Sequence, residues 1–269
     1  MTTGSHPLFD QLRATARAAP LVVAHRGASG SHPENTLAAF LAARSLGVPM
    51  QEFDVRATRD GALVCVHDET FDRTSDAAMR LGPGALVAQM SLAEVLTLDA
   101  GAWKGGRHAN ERVPTLAAAL AAMLPTCVPL IEHKAGDASA YVDSIARTNA
   151  MPRCILQSFD WEFLTMARRL APGLAIAALG PNDRFTEPTA AALAAARALG
   201  AGMLHWEANA LTRADVARIH ADGMLVCTYT TDHELGWCGG ARLGFDAMCT
   251  NEPERMLATA RLGALQRSD

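Results

Sequence analysis

Short apolar runs alternate along this chain with longer, alanine-rich segments of mixed polarity. The apolar runs predict eight strands, at residues 21–25, 50–57, 127–133, 153–158, 174–179, 202–206, 224–229 and 245–250. The segments between them predict eight helices, at residues 33–46, 115–124, 138–149, 160–171, 188–199, 212–222, 232–240 and 253–262. Regular alternation of strand and helix is typical of an α/β protein with a parallel sheet, and eight such units predict a closed (β/α)8 TIM barrel.

Several predicted helices carry sequence signals at their ends. The tetrapeptides at 31–34 (Ser-His-Pro-Glu) and 91–94 (Ser-Leu-Ala-Glu) have the form of a capping box, which predicts that a helix begins at each. Asp160 follows a strand and is placed to cap the next helix. Gly47 and Gly200 follow helical runs, where a left-handed glycine commonly ends a helix.

A further apolar run, at 62–67, predicts an extra strand that forms a hairpin with the second barrel strand. Asp60-Gly61 separates the two strands and favours a two-residue turn. With that turn, Asp54 pairs with His67, and paired side chains share a face of the sheet. A shift of one residue in the register would turn His67 to the opposite face.

The segment 69–113 interrupts the alternation of strands and helices. A structureless stretch of this length is unusual in a compact barrel, so we expect a small subdomain inserted in a single domain spanning 1–269. The segment follows His67 directly, on the side of the barrel where substrates bind. We therefore expect it to influence which substrates are accepted, with Trp103 either covering the substrate or anchoring the segment to the barrel.

The composition excludes some classes of partner. The chain has 269 residues, of which 49% are hydrophobic, and this suffices for the core of one large domain. A net charge of −4 and scattered Lys and Arg residues argue against binding to nucleic acid. No apolar stretch approaches the roughly 20 residues that span a bilayer, so we expect no stable association with membranes.

Two features predict a cytoplasmic protein. Residues 1–20 contain charged side chains and lack the apolar core of a secretory signal. The six cysteines form no CxxC pair and mostly lie in apolar, strand-like runs, which is typical of buried, reduced thiols. The sequence leaves the oligomeric state open.

Four ionisable residues end apolar runs near the start of the chain. They are His25, Glu52, Asp54 and His67. Glu52 and Asp54 are two residues apart, so on a strand they point to the same face, where they repel each other unless a cation lies between them. The two imidazoles can take and give protons near neutral pH. This set of residues predicts an enzyme that combines a divalent metal with acid–base catalysis.

A third carboxylate, Glu132, ends a later apolar strand and fits the same site. Glu132 and Lys134 share one face of that strand, whereas His133 points to the other. Because strand ends converge in a barrel, Glu132 can join Glu52 and Asp54. Three carboxylates favour a hard cation, Mg²⁺ or Ca²⁺, over zinc, which prefers histidine and cysteine.

Positive and aromatic residues beside these acids suggest an anionic substrate. Arg26 and Lys134 can hold a phosphate, although either residue alone is more often the ion-pair partner of a carboxylate. Phe159 and Tyr229 end strands and can line the pocket. His205 also ends a strand, and a role in the pocket stays open for it.

Several motifs resemble the signature of the glycerophosphodiester phosphodiesterases. They are Ala24-His25-Arg26-Gly27, Pro33-Glu34-Asn35-Thr36, Glu52-Phe53-Asp54-Val55, Val66-His67-Asp68, Leu98-Asp99-Ala100-Gly101, Glu132-x-Lys134 and Ser158-Phe159-Asp160. The resemblance implies a (β/α)8 barrel with an insertion after the second histidine. It also implies one divalent metal on Glu52, Asp54 and Glu132, and it makes His25 and His67 the catalytic histidines. Members of that family cleave a small-molecule glycerophosphodiester to an alcohol and glycerol 3-phosphate.

The chain departs from the family pattern in its carboxyl-terminal half, and some alternatives stay open. Tyr229-Thr230-Thr231-Asp232 replaces a common Trp-Thr-Val-Asn, and Thr250-Asn251 replaces Thr-Asp. These changes concern contacts to the glycerol or the alcohol. Other functions compatible with the residues are a related barrel phosphodiesterase acting on inositol or sphingomyelin-type lipids, and a non-catalytic barrel that binds phosphodiesters. The sequence does not assign acid and base to the histidines, nor does it distinguish attack by water from a cyclic phosphate intermediate.

Overall fold

A computed structural model describes residues 6–266 and shows a closed barrel. Its strands are β1 Leu21–His25, β2 Met50–Ala57, β3 Leu63–Cys65, β4 Val128–His133, β5 Ile155–Ser158, β6 Ala175–Gly180, β7 Met203–Glu207, β8 Leu225–Tyr229 and β9 Ala247–Thr250. All strands except β3 run parallel, and β1 pairs with both β2 and β9, which closes the ring. The predicted (β/α)8 TIM barrel is confirmed.

Most helices lie on the outside of the barrel, whereas the first precedes β1 and the third and fourth lie in the segment 69–113. The helices are α1 Pro7–Thr15, α2 Leu37–Leu46, α3 Ala77–Leu81, α4 Leu92–Val95, α5 Leu116–Met123, α6 Ala138–Arg147, α7 Trp161–Leu170, α8 Ala190–Leu199, α9 Arg213–Ala221, α10 Glu234–Leu243 and α11 Pro253–Arg261. Among residues 6–266, no helix is both long enough and apolar enough to cross a membrane. All six cysteines are free thiols, and five of them are buried, as the sequence predicts.

Helix α1, which the sequence pattern does not predict, covers the end of the barrel where the strands begin. Its buried Leu8, Phe9 and Leu12 belong to one apolar cluster with residues near the beginning of the barrel strands, such as Met50, the first residue of β2. Gly202, just before β7, permits this contact, because a Cβ atom there would lie 2.1 Å from the Phe9 ring. The barrel is therefore closed at this end, and substrates must enter at the other.

The capping signals at the helix starts are only partly confirmed. Ser91 and Glu94 form the predicted capping box of α4, and Asp160 caps α7. The helix start predicted from residues 31–34 is wrong, because α2 begins at Leu37 with Thr36 as its N-cap. The residues before Thr36 form a loop instead of a helical turn. The loop brings Asn35, in a left-handed conformation, to the mouth of the barrel.

The predicted register of the hairpin between β2 and β3 is wrong by one residue. The Thr58 amide donates to the Ala62 carbonyl at 2.8 Å, so the loop has three residues and ends in Gly61 with a φ of 79°. The Thr58 hydroxyl also accepts from the Ala62 amide, which stabilises the longer loop. Asp54 consequently lies opposite Val66, whose amide donates to its carbonyl.

His67 reaches the barrel mouth in spite of this shift. Strand β3 ends at Cys65, so the alternation of side chains between two faces no longer determines the direction of His67. The chain bends after Val66 and carries the imidazole into the same cavity as His25. The prediction that His67 lies near the carboxylates therefore holds, although the pairing that motivated it does not.

The inserted segment 69–113 has an apolar core of its own. Phe71, Val87 and Leu98 are buried in a cluster separate from that of the barrel, and Val64 of β3 contributes to it. Trp103 donates its indole N–H to the Ala100 carbonyl within the segment. The segment therefore packs around its own apolar cluster and joins the barrel through the hairpin, and its description as a subdomain stays a prediction.

Candidate active site

The acidic residues meet because neighbouring strands place them side by side. His25 lies opposite Glu52 in the pairing of β1 with β2, and Asp54 lies opposite Glu132 in the pairing of β2 with β4. One carboxylate oxygen from each of the three acids lies within 4.8 Å of the others. Glu52 and Asp54 are both only 1% exposed. The predicted convergence of the three carboxylates is thus present in the structure.

Two cations compensate part of this buried negative charge. Arg26 Nε lies 3.1 Å from Asp54 Oδ2, and Lys134 Nζ lies 3.4 Å from Asp54 Oδ1 and also pairs with Glu132. Burial is the largest single influence on the pKa of Asp54 and raises it, but the charges of Arg26, Lys134 and His67 and the hydrogen bond from Asn35 together lower it. Burial and the neighbouring charges of Asp54 and Glu132 raise the pKa of Glu52 well above its ordinary value. The protein therefore leaves the negative charge of this cluster incompletely balanced.

The same cluster has the properties of a site for a divalent cation. Each of its members offers a carboxylate oxygen, the ligand that hard cations prefer. Glu52 Oε1 is fully buried and has no hydrogen-bond partner among residues 6–266, which is costly unless another group neutralises it. Asn35 donates its amide to Asp54 Oδ2 at 2.9 Å and fixes that carboxylate. These donors fit a divalent metal.

A hydrogen-bond chain from the last strand holds His25. His25 Nδ1 lies 2.7 Å from Asn251 Oδ1, and the Asn251 amide nitrogen donates to Asp232 Oδ2 at 2.7 Å. Since Asp232 requires a donor, the oxygen of Asn251 must face His25. An amide oxygen only accepts hydrogen bonds, so the proton of neutral His25 resides on Nδ1. The other nitrogen, Nε2, is then free of a proton and lies 3.9 Å from Glu52.

His67 has a carboxylate partner instead of an amide. Its Nδ1 lies 2.7 Å from Asp68 Oδ1, and Arg73 Nε donates to Asp68 Oδ2 at 2.7 Å. Hydrogen bonds from Arg73 hold the pKa of Asp68 well below its ordinary value, so Asp68 remains ionised. Arg73 also binds Glu34, which accepts from Arg26 at 2.7 Å. The inserted segment is therefore linked to the loop that follows β1.

These residues surround a cavity of about 160 Å³ at the carboxyl-terminal ends of the strands. It is lined by His25, Arg26, Glu52, His67, Glu132, Lys134, Phe159, Leu179, His205, Tyr229, Thr230 and Cys249. The Phe159 and Tyr229 rings meet edge to face at 6.1 Å, and Tyr229 donates its hydroxyl to the Gly180 carbonyl. The structure thus brings together every residue that the sequence singled out for the site, with Asp54 directly beneath it as a partner of Arg26 and Lys134.

The two other histidines that end strands, His133 and His205, lie on opposite sides of the barrel wall, and the strand pattern predicted the direction of the first only. His133 turns away from the cavity, as predicted, and stacks on Phe163 with ring centroids 3.5 Å apart. His205, for which the sequence left a role open, lines the floor of the cavity and contacts Gln157 Oε1 at 2.7 Å. Burial lowers the pKa of His205 to about 3, so it is neutral there.

Asn251 is the site residue that sequence reasoning missed. It stood out in the sequence only as a departure from the family pattern, and that departure did not predict its contact with His25.

Residues from 69–113 do not line this cavity, to the extent that the structure describes the chain. The segment approaches the site through Arg73 and through Lys104, whose ammonium donates to the Ser29 carbonyl at 2.7 Å. The prediction that this segment selects substrates stays a prediction.

Comparison with known proteins agrees with this geometry. The model of the glycerophosphoryl diester phosphodiesterase family matches residues 25–255. A glycerophosphodiester phosphodiesterase of Caldanaerobacter subterraneus subsp. tengcongensis is 33% identical over 90% of this chain and 98% of its own length. One from Bacillus subtilis is 31% identical over 87% of this chain and 84% of its own.

Solved structures give the same result. A phosphodiesterase of Oleispira antarctica, in complex with its product sn-glycerol-3-phosphate, superposes with a TM-score of 0.80 at 27% identity. The match covers 90% of this chain and 97% of that one. The resemblance seen in the motifs and the predicted class of enzyme, a phosphodiesterase of glycerophosphodiesters, are confirmed. The chain belongs to the glycerophosphoryl diester phosphodiesterase family.

Proposed function

We propose that the protein hydrolyses small, water-soluble glycerophosphodiesters to an alcohol and glycerol 3-phosphate with the aid of one divalent cation, Mg²⁺ or Ca²⁺. The observation that carries the proposal is that one cavity is lined by the imidazoles of His25 and His67, by the cations Arg26 and Lys134, and by two members of a three-carboxylate cluster. Glu52, Asp54 and Glu132 would hold the cation. When bound, the cation supplies positive charge that stabilises the negative charge developing on the phosphate.

Arg26 and Lys134 hold the phosphate in this proposal. Both side chains line the cavity, and both are positioned by Asp54, so their charged groups are oriented before the substrate arrives. Such preorganised donors stabilise a transition state without having to reorganise during the reaction. Loss of either cation should therefore affect the rate as well as binding.

His25 acts as the general base and His67 as the general acid. Because Asn251 holds the proton of His25 on Nδ1, Nε2 can accept a proton from the nucleophile. Asp68 contacts Nδ1 of His67 and so orients the imidazole, and we assign to His67 the donation of a proton to the leaving alcohol oxygen. The nucleophile is either water or the neighbouring hydroxyl of glycerol. In the second case a cyclic phosphate forms first and is then hydrolysed.

The compartment we propose for this reaction is the cytoplasm. The support is the set of six free cysteines, five of them buried, in which no disulfide contributes to stability. A reducing compartment suits such a protein.

A panel of soluble glycerophosphodiesters, assayed for released glycerol phosphate with and without added metal, tests the proposal. We expect turnover that disappears after chelation and returns with Mg²⁺ or Ca²⁺. Binding of the diesters without release of glycerol phosphate would support a non-catalytic barrel instead. Turnover only of intact inositol or sphingomyelin-type lipids would show that the substrate class is wrong.

A further inference from the structure

A second, larger cavity adjoins the catalytic one across the Phe159 side chain. Its volume is about 610 Å³, and it lies between the loop that leads from β5 into α7 and the loop that follows β6. It is lined by Phe159, Asp160, Trp161, Glu162, Pro181, Asn182, Asp183, Arg184 and Phe185. Phe159 belongs to both linings, so the two cavities meet at this ring.

The walls of the second cavity are aromatic and fixed by hydrogen bonds. The Trp161 and Phe185 rings lie with their centroids 5.0 Å apart, and Trp161 donates its indole N–H to the Leu179 carbonyl at 2.8 Å. Asn182 joins the two loops, because its side-chain amide donates to the Phe159 carbonyl and its oxygen accepts from the Phe185 amide. A preformed aromatic wall of this kind binds cations through the negative faces of its rings.

The charge around this wall is mainly negative. Asp160, Glu162 and Asp183 contribute carboxylates, against the single guanidinium of Arg184, which lies over the Phe185 ring. Asp160 is engaged in capping α7. Among residues 6–266, the carboxylates of Glu162 and Asp183 have no hydrogen-bond or ion-pair partner, so both are available to a ligand.

We propose that this cavity holds the alcohol end of the substrate and favours a short cationic alcohol such as choline or ethanolamine. The inference rests on the proposed function. Lys134 Nζ, which would bind the phosphate, lies 5.8 Å from the centroid of the Phe159 ring. A cationic group joined to that phosphate by a short chain can therefore come within the roughly 6 Å at which a cation interacts with an aromatic ring.

The test compares glycerophosphocholine with glycerophosphoglycerol, which differ at the alcohol end. We expect the wild-type protein to prefer glycerophosphocholine. Glu162→Lys and Asp183→Lys should each lower the ratio of the two kcat/KM values, roughly three- to tenfold, because they place a cation beside the bound cation. Glu254→Lys is the control, since Glu254 is an exposed carboxylate on α11 that lines neither cavity. It should leave the ratio unchanged.

Calorimetric binding of both diesters to His67→Ala, alone and combined with Asp183→Lys, separates this inference from the proposed function. If the parent protein cleaves neither diester but the binding ratio still falls with Asp183→Lys, the proposed function is wrong and the subsite stands. If both diesters react and bind equally, or if the lysine variants shift the ratios no more than Glu254→Lys does, the subsite is disproved.

Discussion

Asn251 Oδ1 lies 2.7 Å from His25 Nδ1, and it also accepts the Ser29 hydroxyl at 2.8 Å. Asp232 orients this amide by accepting from both its side-chain and its backbone N–H. A neutral amide thus replaces the carboxylate that commonly follows the threonine in this family. It fixes the tautomer of His25 without adding a negative charge beside it, which suits a histidine that must start the reaction unprotonated.

We expect Asn251→Ala to lower kcat by roughly 10- to 100-fold, the effect of losing a partner that fixes a histidine tautomer. KM should change less, because the phosphate-binding Arg26 and Lys134 are not involved. Steady-state kinetics with one glycerophosphodiester measures both parameters. Ser29→Ala is the matched control, since it removes the other hydrogen bond to the same oxygen and one to the His25 backbone carbonyl but leaves the contact between Asn251 and the imidazole, so it should cost much less. An Asn251→Ala protein with the kcat of the parent would refute the role of this amide.

Removal of either histidine should abolish most turnover while the fold persists. His25→Ala and His67→Ala should each reduce the rate by roughly 10²- to 10⁴-fold, the usual contribution of a positioned acid or base. Both imidazoles line the cavity instead of packing in the core, so thermal unfolding should be nearly unchanged. If the His67→Ala protein kept the parental rate, His67 could not be the acid.

Metal binding should stabilise the protein through Glu52, Asp54 and Glu132. A ligand present at 100 times its Kd stabilises the folded state by about 2.7 kcal/mol, so the Tm should rise with added Mg²⁺ or Ca²⁺. Glu52→Gln removes a charge from the cluster and should weaken metal affinity in calorimetry as well as activity. Glu254→Gln is the same substitution at an exposed position on α11, and it should change neither the metal affinity nor the activity. Full activity of the parent after exhaustive chelation, with metal content confirmed as nil, would exclude the metal mechanism.

Arg73 should affect catalysis although it belongs to the inserted segment. It donates two hydrogen bonds to Asp68 and so fixes the carboxylate that contacts His67. Arg73→Met should therefore lower kcat more than it raises KM. Trp103→Leu changes the same segment without touching Asp68 and should alter stability more than kcat. Equal effects of the two variants on kcat would indicate that the segment acts only as scaffold.

Replacing 69–113 with the corresponding segment of a relative tests whether this segment selects substrates. If the segment selects substrates, as the sequence predicts, the ranking of glycerophosphodiesters by kcat/KM should change toward that of the donor. A folded chimera that keeps the parental ranking would contradict this prediction and would favour the loops after β5 and β6, which line the second cavity, as the elements that select the alcohol.

The stability of the protein should fall on mild acidification, partly because of His133. Burial lowers the pKa of His133 to about 4, so the folded state favours the neutral imidazole. Its contribution to stability is complete above the unfolded pKa of about 6.5 and is lost as the pH falls toward 4, by about 3 kcal/mol at most. His133→Phe keeps a ring beside Phe163 and should show a weaker acid dependence in urea unfolding. If the free energy of unfolding falls equally with pH in the parent and in His133→Phe, His133 does not cause the acid dependence.

Much of the barrel was determined by the sequence itself. Apolar runs such as 174–179 are typical of strands buried on both faces, and their alternation with helices leaves few topologies open. The same logic located the site. Because the carboxyl ends of parallel strands meet at one rim, Glu52, Asp54 and Glu132 had to converge once each was recognised as a strand end.

Contacts between distant parts of the chain were decided only by the tertiary structure. Asn251 and His25 are 226 residues apart, and no local pattern encodes their hydrogen bond. The loop at Thr58 set the hairpin register through its own backbone hydrogen bonds, against the preference of Asp-Gly for a shorter turn. Local periodicity reports which face of an element is buried. Which side chain of another element lies against that face depends on packing over the whole barrel.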